Sequence, residues 1–158
     1  MSNSRILLIV LIYAAITLTG TAQADAGSAA EAHDAFLAAL SSGDTDAIEQ
    51  VLTDDGEIAF SLGEHRVHLG LREWLGHFRQ MVASGTRLSI VDREVSGGGS
   101  DDTAWFFAVQ DLAWTPAGAS EPASSAVWYT TEVWEHDGEH WKVAHVHHGL
   151  APEGDSDE

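Results

Sequence analysis

Three of the four histidines near the end of the chain, His145, His147 and His148, are spaced so that their side chains could do chemistry. They belong to the segment Asp-Gly-Glu-His-Trp-Lys-Val-Ala-His-Val-His-His-Gly, residues 137–149. The Asp-Gly pair suits the positive-φ positions of a hairpin turn, and the alternation after it predicts a β-strand. One face of that strand would carry Trp141, Val143, His145 and His147, with His148 on the other. Because an imidazole titrates near pH ~6.5, a histidine on this apolar face can act as a general acid or base.

His147 is the first catalytic candidate, because apolar surroundings would keep its imidazole partly desolvated. Tyr129, on the preceding predicted strand, would donate a hydrogen bond to a developing oxyanion. His33 lies on the apolar stripe of the first predicted helix and could meet His147 across a cavity. A histidine on such a stripe is also common as a hydrogen-bonded core residue, and both interpretations stay open.

Three acidic residues are further candidates for proton transfer. Glu57, Asp111 and Glu132 fall in predicted strands, where propensity disfavours them. If they face inward, burial raises the pKa of each carboxyl toward a useful range. If they face outward, they belong to an acidic surface, and periodicity alone does not decide which face is inside.

Aromatic residues supply walls for a ligand pocket. The residues expected to contact a ligand are Trp74, Phe78, Trp105 and Trp141, together with His145. The chain has six tryptophans, and core packing or a dimer face accounts for the same pattern without a ligand.

A zinc site is the alternative chemistry for these histidines. His145 and His147 are two residues apart on a strand and point the same way, and His33 or His65 would complete three ligands. The chain has no cysteine and no H-E-x-x-H motif, so the H-x-H pattern is weak. We therefore expect no bound metal and no organic cofactor.

The order of predicted elements indicates an α+β domain. Helices are expected at residues 29–40, in a short segment capped by Asp44 or Thr45, and from Leu71 to about residue 83. Strands are expected at residues 57–62, 87–95, 103–114, 126–136 and from Trp141 onward, with turns at 53–56 and 97–102, a polar connection at 63–70 and a loop at 116–125. The helices should pack against one face of a long, bent antiparallel sheet.

Strands in the second half are apolar on both faces. Along residues 103–114, Trp105, Phe107 and Val109 alternate with Ala104, Phe106 and Ala108. A sheet covered by helices on one side only should be polar on the other. The second apolar face therefore predicts a homodimer.

Both ends of the chain are expected to lie outside the folded domain. Arg5, the apolar run at residues 6–18 and Ala22-Gln23-Ala24 are the three parts of a secretory signal peptide. The run is shorter than the ~20 residues of a bilayer span, so residues 1–24 should be removed and the protein should be periplasmic or secreted without a membrane anchor. Residues 25–150 would form the domain and residues 151–158 an acidic, disordered tail.

Charge limits the partners of the domain. The formal net charge is −18, which repels phosphate backbones and anionic lipid surfaces. Nucleic acid and membranes are therefore not expected partners.

The element order and two segments resemble the SnoaL-like branch of the nuclear transport factor 2 superfamily. The segments are His-Leu-Gly-Leu-Arg-Glu-Trp-Leu-Gly-His-Phe, residues 68–78, and the closing segment from residue 137. The resemblance implies a cone-shaped α+β roll with a pocket between the sheet and the helices, commonly dimeric through the outer sheet face. Trp141 and His147 match the closing motif, whereas Gly149 replaces its usual serine and Tyr129 stands where an arginine often precedes Thr-x-Val.

The function expected from the residues and the resemblance is binding of a small, mostly apolar molecule in the cone. Cofactor-free proton transfer of the isomerase, dehydratase or cyclase type would use His147 and Tyr129. The alternative is a non-catalytic, homo-oligomeric binding or association module, since the superfamily hosts both classes.

Overall fold

The computed structural model describes residues 26–150, and side chains from residue 29 onward. The elements are α1 (Ala26–Ser42), α2 (Thr45–Gln50), β1 (Leu52–Leu62), β2 (His65–Gly70), α3 (Leu71–Ala83), β3 (Arg87–Gly99), β4 (Thr103–Thr115), β5 (Ser124–His136) and β6 (Trp141–Leu150). The predicted signal peptide and acidic tail lie outside these residues. No helix within residues 26–150 is long and apolar enough to cross a membrane.

Local sequence explains the helices. The side chain of Asp44 accepts a hydrogen bond from the backbone N–H of Ala47 at 3.0 Å, which caps α2. In α3 the buried residues Leu71, Leu75 and Phe78 share one face at helical spacing. Each helix thus presents an apolar side to the sheet, as the periodicity predicts.

The six strands form one open sheet in the order β2-β1-β6-β5-β4-β3. All neighbouring pairs are antiparallel except β1 and β6, which are parallel. The predicted α+β class is confirmed, and the predicted antiparallel pairing holds for every neighbouring pair except β1 and β6. Nearly the whole domain separates β1 from β6 along the chain, so no short turn constrains their direction and parallel pairing is possible.

Two segments expected to be irregular are strands. Residues 65–70, predicted as a polar connection, form the edge strand β2, whose side chains are exposed except for Leu69. An edge strand is held by backbone hydrogen bonds and needs no apolar pattern. The glycines 97–99, predicted as a turn, extend β3. A β-carbon at Gly97 would lie 2.7 Å from Phe106 Cδ1, so β3 passes too close to β4 there for a side chain.

A bulge in β6 determines which histidine faces inward. His145 pairs with Val133, whereas Val143 pairs with Trp134, so Ala144 is one residue too many in β6. Strand alternation is shifted by one residue there, and every later side chain changes face. Residues 53–56, a third segment predicted to be irregular, belong to β1 and lie opposite the bulge, where the pairing of β1 with β6 is irregular between Leu52 and Glu57.

The inner face of the sheet and the three helices enclose the core. Trp134 and Val143 are completely buried in it. The outer face exposes large apolar side chains, of which Trp105, Phe107 and Tyr129 are 48%, 40% and 41% accessible. Apolar residues on both faces of β4 and β5 are thus confirmed.

Candidate functional site

An apolar cavity of about 210 Å³ lies between the helices and the inner face of the sheet. We call it the inner cavity. Its walls are Leu40, Phe60, Trp74, His77, Phe78, Met81, Leu88, Ile90, Leu112, Trp114, Trp128 and His148. Two predicted ligand-binding residues, Trp74 and Phe78, line it and stack on each other with ring centroids 5.5 Å apart. Its mostly aromatic lining with few polar groups is typical of a small-molecule site.

His148 is the polar group of the sheet that faces the inner cavity. Its ring stacks on Phe60 with centroids 5.4 Å apart, and its Nδ1 lies 2.8 Å from the hydroxyl of Thr130. Burial, and secondarily the charge of His147, lowers the pKa of His148 from its ordinary 6.5 to about 4. The imidazole is therefore neutral at physiological pH.

A row of hydrogen bonds continues from His148 across the inner face. Thr130 Oγ1 donates to Gln110 Oε1 at 2.6 Å, and Gln110 Nε2 donates to Asp92 Oδ1 at 2.9 Å. These four residues lie on β6, β5, β4 and β3, which are consecutive in the sheet. We call His148, Thr130, Gln110 and Asp92 the polar row. Gln110 and Thr130 are each 1% exposed, so the middle of the row is shielded from water.

His33 connects the far end of this row to a second carboxylate. Its Nε2 lies 3.3 Å from Asp92 Oδ2 and its Nδ1 lies 2.8 Å from Glu132 Oε2. Burial alone would lower the pKa of His33, but the hydrogen bonds and negative charges of Glu132 and Asp92 outweigh it and raise that pKa. Trp134 Nε1 also donates to Glu132 Oε2, at 2.7 Å. His33 therefore joins α1 to the sheet as a buried cation favoured by two carboxylates.

Trp128 lines the inner cavity with its ring, and its indole N–H is buried without a partner among the described residues. Its side chain is 6% exposed, and its indole N–H is the one buried side-chain nitrogen or oxygen without a hydrogen-bond partner in the part of the chain that the structure describes. An unpaired buried donor is costly to the folded state.

The three predicted catalytic residues, His147, Tyr129 and His33, all lie outside the inner cavity. His147 Nε2 contacts the hydroxyl of Ser61 at 2.9 Å on the outer face of the sheet. Tyr129 is also on the outer face, where its ring stacks on Phe107 at 6.1 Å. His33 is buried beside the polar row and does not line the inner cavity. The structure therefore brings His33 and Glu132 together but separates both from His147 and Tyr129.

The other predicted ligand contacts are likewise outside the inner cavity. Trp105 is on the exposed outer face and Trp141 belongs to the core. His145 is paired with Glu57 of β1 and faces outward. The predicted shared face of Trp141, Val143, His145 and His147 is wrong, because the bulge at Ala144 reverses the alternation after Val143.

The three acidic candidates have different positions. Glu57 is exposed, and Asp111 forms a bidentate ion pair with Arg93 at 2.6 Å per bond on the exposed side. Only Glu132 is buried. The residues from 26 to 150 contain no group of three or more histidine, cysteine or acidic side chains arranged to hold a metal ion, so the alternative zinc site finds no support there.

Sequence reasoning missed the polar row. Simple strand alternation predicts the wrong face for His148, because the bulge at Ala144 shifts it, and it does not relate Gln110, Thr130 and Asp92 to one another. Gln110 did carry a signal: it alternates with Ala108 and Leu112 on an otherwise apolar strand face. A buried amide in that position needs partners, which predicts a polar neighbour on an adjacent strand.

The α+β domain, with helices over one face of the sheet and an apolar cavity between them, has the fold of solved nuclear transport factor 2-like proteins. The model of the SnoaL-like domain matches residues 29–152, and the chain belongs to this family. Comparison with curated protein sequences gives no match.

Solved structures agree on the fold. A protein proposed to be a dehydratase of the nuclear transport factor 2-like family, from Streptomyces avermitilis, has a TM-score of 0.67 and 18% identity over 84% of this chain and 99% of that chain. A protein proposed to be a calcium/calmodulin-dependent kinase II association domain, from Exiguobacterium sibiricum, has a TM-score of 0.69 and 14% identity over 84% and 97%. A nuclear transport factor 2-like protein of unknown function from Rhodospirillum rubrum has a TM-score of 0.64 and 20% identity over 78% and 98%. At these identities the likeness shows the fold alone.

Proposed function

We propose that this protein binds a small, mostly apolar molecule in the inner cavity. The family and fold support a small-molecule-binding or isomerase- or dehydratase-type domain. The observation that carries the proposal is an aromatic cavity lined by His148, whose Nδ1 is bonded to Thr130 and whose Nε2 is left for a ligand. A few polar groups in an apolar cavity fix the orientation of a ligand whose affinity comes from buried apolar area.

Binding is favoured over catalysis by the pKa of His148. A general base works best when its pKa lies near the operating pH, whereas that of His148 is about 4. Protonating it at neutral pH costs about 3 kcal/mol more than protonating a solvated histidine. The neutral ring is thus a hydrogen-bond acceptor first.

Cofactor-free proton transfer is the second candidate function, and the polar row favours it. In that reaction His148 Nε2 would take a proton from the substrate while Nδ1 stays bonded to Thr130. A developing negative charge on the substrate next to the new imidazolium would raise the pKa of His148. His148, rather than His147, is the residue placed to do so.

Native mass spectrometry of the protein purified from its own host tests binding. A small organic molecule that is present under native conditions and lost on denaturation supports the proposal. The variant His148→Gln should lose that molecule, whereas His147→Gln, the outer-face control, should retain it. Equal retention by both variants, or an empty wild-type protein in every preparation, contradicts the proposal.

Homodimerisation through the outer face is a separate proposal, supported by the exposed side chains of Trp105, Phe107 and Tyr129. It keeps open a role as an association module, the function suggested for the similar protein from Exiguobacterium sibiricum. We further propose export to the periplasm or the medium, supported by the composition of residues 1–24. N-terminal sequencing of the protein from its host should then begin at Asp25, and a start at residue 1 or 2 contradicts export.

A further inference from the structure

We infer that Asp92 sets the tautomer of His148 through Gln110 and Thr130, so that the inner cavity presents an imidazole lone pair and selects ligands that carry a hydroxyl or N–H group. The tautomer can be measured on the free protein. Only the ligand selectivity rests on the proposed binding function.

The first step is the orientation of the Gln110 amide. A carboxylate accepts hydrogen bonds but cannot donate them, so the group that faces Asp92 Oδ1 at 2.9 Å must be the Gln110 NH₂. The amide oxygen then points to the opposite side, where Thr130 Oγ1 lies 2.6 Å away. Gln110 is buried, so no water replaces either partner.

The second step fixes the proton of Thr130. An amide oxygen only accepts, so the single hydroxyl proton of Thr130 is donated to Gln110. The Thr130 oxygen is left with lone pairs toward its other neighbour, His148 Nδ1 at 2.8 Å. That nitrogen must therefore carry the ring proton.

The third step follows within the ring of His148. A neutral imidazole has one N–H, and the partner of one nitrogen determines the state of the other. With Nδ1 protonated, Nε2 has a lone pair, and this nitrogen makes no hydrogen bond to any residue in the described range. Free histidine in water prefers the other tautomer, so the polar row holds His148 in its less favoured form.

His33 holds Asp92 in position through its second carboxylate oxygen. This oxygen lies 3.3 Å from His33 Nε2, and His33 is held in turn by Glu132 at 2.8 Å. This arrangement keeps a carboxylate acceptor at the end of the polar row. Asp92, Gln110 and Thr130 are positioning residues, since none of them lines the inner cavity.

The ligand class follows from the lone pair. A hydroxyl or N–H group donates to Nε2, whereas a carbonyl or ether oxygen at that point meets another acceptor and leaves Nε2 desolvated and unpaired. A site built to bond a polar group discriminates strongly against an analogue that lacks it. We expect at least tenfold weaker binding of a matched ligand without the donor.

The tautomer is tested by ¹⁵N NMR of the histidine side chains near neutral pH, with His148→Gln identifying the signals. We expect a protonated Nδ1 and an unprotonated Nε2 in the wild type. Thr130→Val, an isosteric change that removes the hydroxyl, should shift His148 to the Nε2–H form. Thr130→Ser, the control that keeps the hydroxyl, should leave the tautomer unchanged. Asp92→Asn should give a mixture, because an asparagine side chain can both donate and accept. The inference is overturned if His148 of the wild type is protonated at Nε2, or if Thr130→Val leaves the ¹⁵N shifts of His148 unchanged. If Thr130→Val does not fold, the wild-type and Asp92→Asn spectra decide.

The selectivity is tested by titrating the wild type and Thr130→Val with 2-naphthol, 2-methoxynaphthalene and naphthalene. Binding is monitored by the NMR chemical shifts of His148 and of the tryptophan side chains. The wild type should bind 2-naphthol at least tenfold more tightly than the other two, and Thr130→Val should lose that preference. Equal affinities for the three probes refute the selectivity. If none of the probes binds while Nδ1 is protonated, the proposed binding function and the selectivity both fall and the tautomer assignment stands.

Discussion

The carbonyl oxygen of Ala144 lies 2.8 Å from the position that a β-carbon on Gly56 would occupy. The irregular part of β1 and the bulge of β6 are therefore in direct contact, and Gly56 is needed for that approach. Because the bulge turns His148 toward the inner cavity, a residue on β1 helps to determine which histidine faces inward.

Gly56→Ala should therefore destabilise the fold. The added methyl group would also lie 2.4 Å from Leu71 Cδ1 and 2.5 Å from Thr53 Oγ1, and overpacking of this kind costs about 1–3 kcal/mol. Gly76→Ala is the control, because nothing lies within 4 Å of its β-carbon position and alanine in a helix is favoured by about 1 kcal/mol. Urea unfolding should lower the free energy of unfolding for the first variant and raise it for the second; equal effects would contradict the contact.

His33→Gln should cost about 3–5 kcal/mol of stability near pH 6, because it leaves the buried Glu132 and the partly buried Asp92 without their cation. The folded-state pKa of His33 is raised, so its charge stabilises the fold fully below pH ~6.5, and that stabilisation is lost as the pH rises through the folded pKa. The difference in unfolding free energy between wild type and His33→Gln should shrink from pH 6 to pH 10. A difference that stays constant with pH would show that His33 acts without its charge.

His148 should have the opposite effect on acid stability. Its folded-state pKa is lowered to about 4, so the unfolded chain binds a proton between about pH 6.5 and pH 4 that the folded protein does not. The wild type should lose about 3 kcal/mol more than His148→Gln over this interval. His147→Gln should keep most of the wild-type loss, and a loss that follows His147 instead would contradict the assignment of the buried imidazole.

Comparing Trp134 with Trp128 measures how much stability depends on whether a buried indole N–H has a hydrogen-bond partner. Trp134→Phe removes an indole N–H that donates to buried Glu132 at 2.7 Å, which should cost about 1–3 kcal/mol beyond the change in ring size. Trp128→Phe removes an N–H with no partner among the described residues, so stability should stay within about 1 kcal/mol of wild type or rise. Equal losses in thermal unfolding would show that Trp128 has a partner after all.

Much of the fold follows from local sequence. Helical periodicity in α3 and alternation in β4 and β5 are carried by the residues themselves, because each element buries one side. The edge strand β2 has no such pattern, since its stability comes from backbone pairing with β1. The resemblance to SnoaL-like proteins, by contrast, predicts the fold and the cavity from the closing motif.

The site was less predictable for a physical reason. One extra residue, Ala144, turns His148 to the inner face of the sheet and His147 to the outer face. The sequence pattern of β6 does not indicate a bulge. The polar row depends on β3, β4, β5 and β6 lying side by side with Gln110 directly across from Asp92. That register is a property of the assembled sheet, so the four residues look unrelated in the sequence.

The apolar outer face yields a prediction about assembly. Phe107 and Tyr129 stack at 6.1 Å on adjacent strands of this face, and a contiguous exposed apolar patch is typical of a protein interface. We expect the wild type to be dimeric and Phe107→Asp to be monomeric, because burying an unpaired charge at an interface is strongly unfavourable. Val67→Asp is the control: Val67 is 41% exposed but lies on the edge strand β2, so this variant should remain dimeric. Sedimentation velocity over a hundredfold concentration range distinguishes these outcomes, and a monomeric wild type contradicts dimerisation through the outer face.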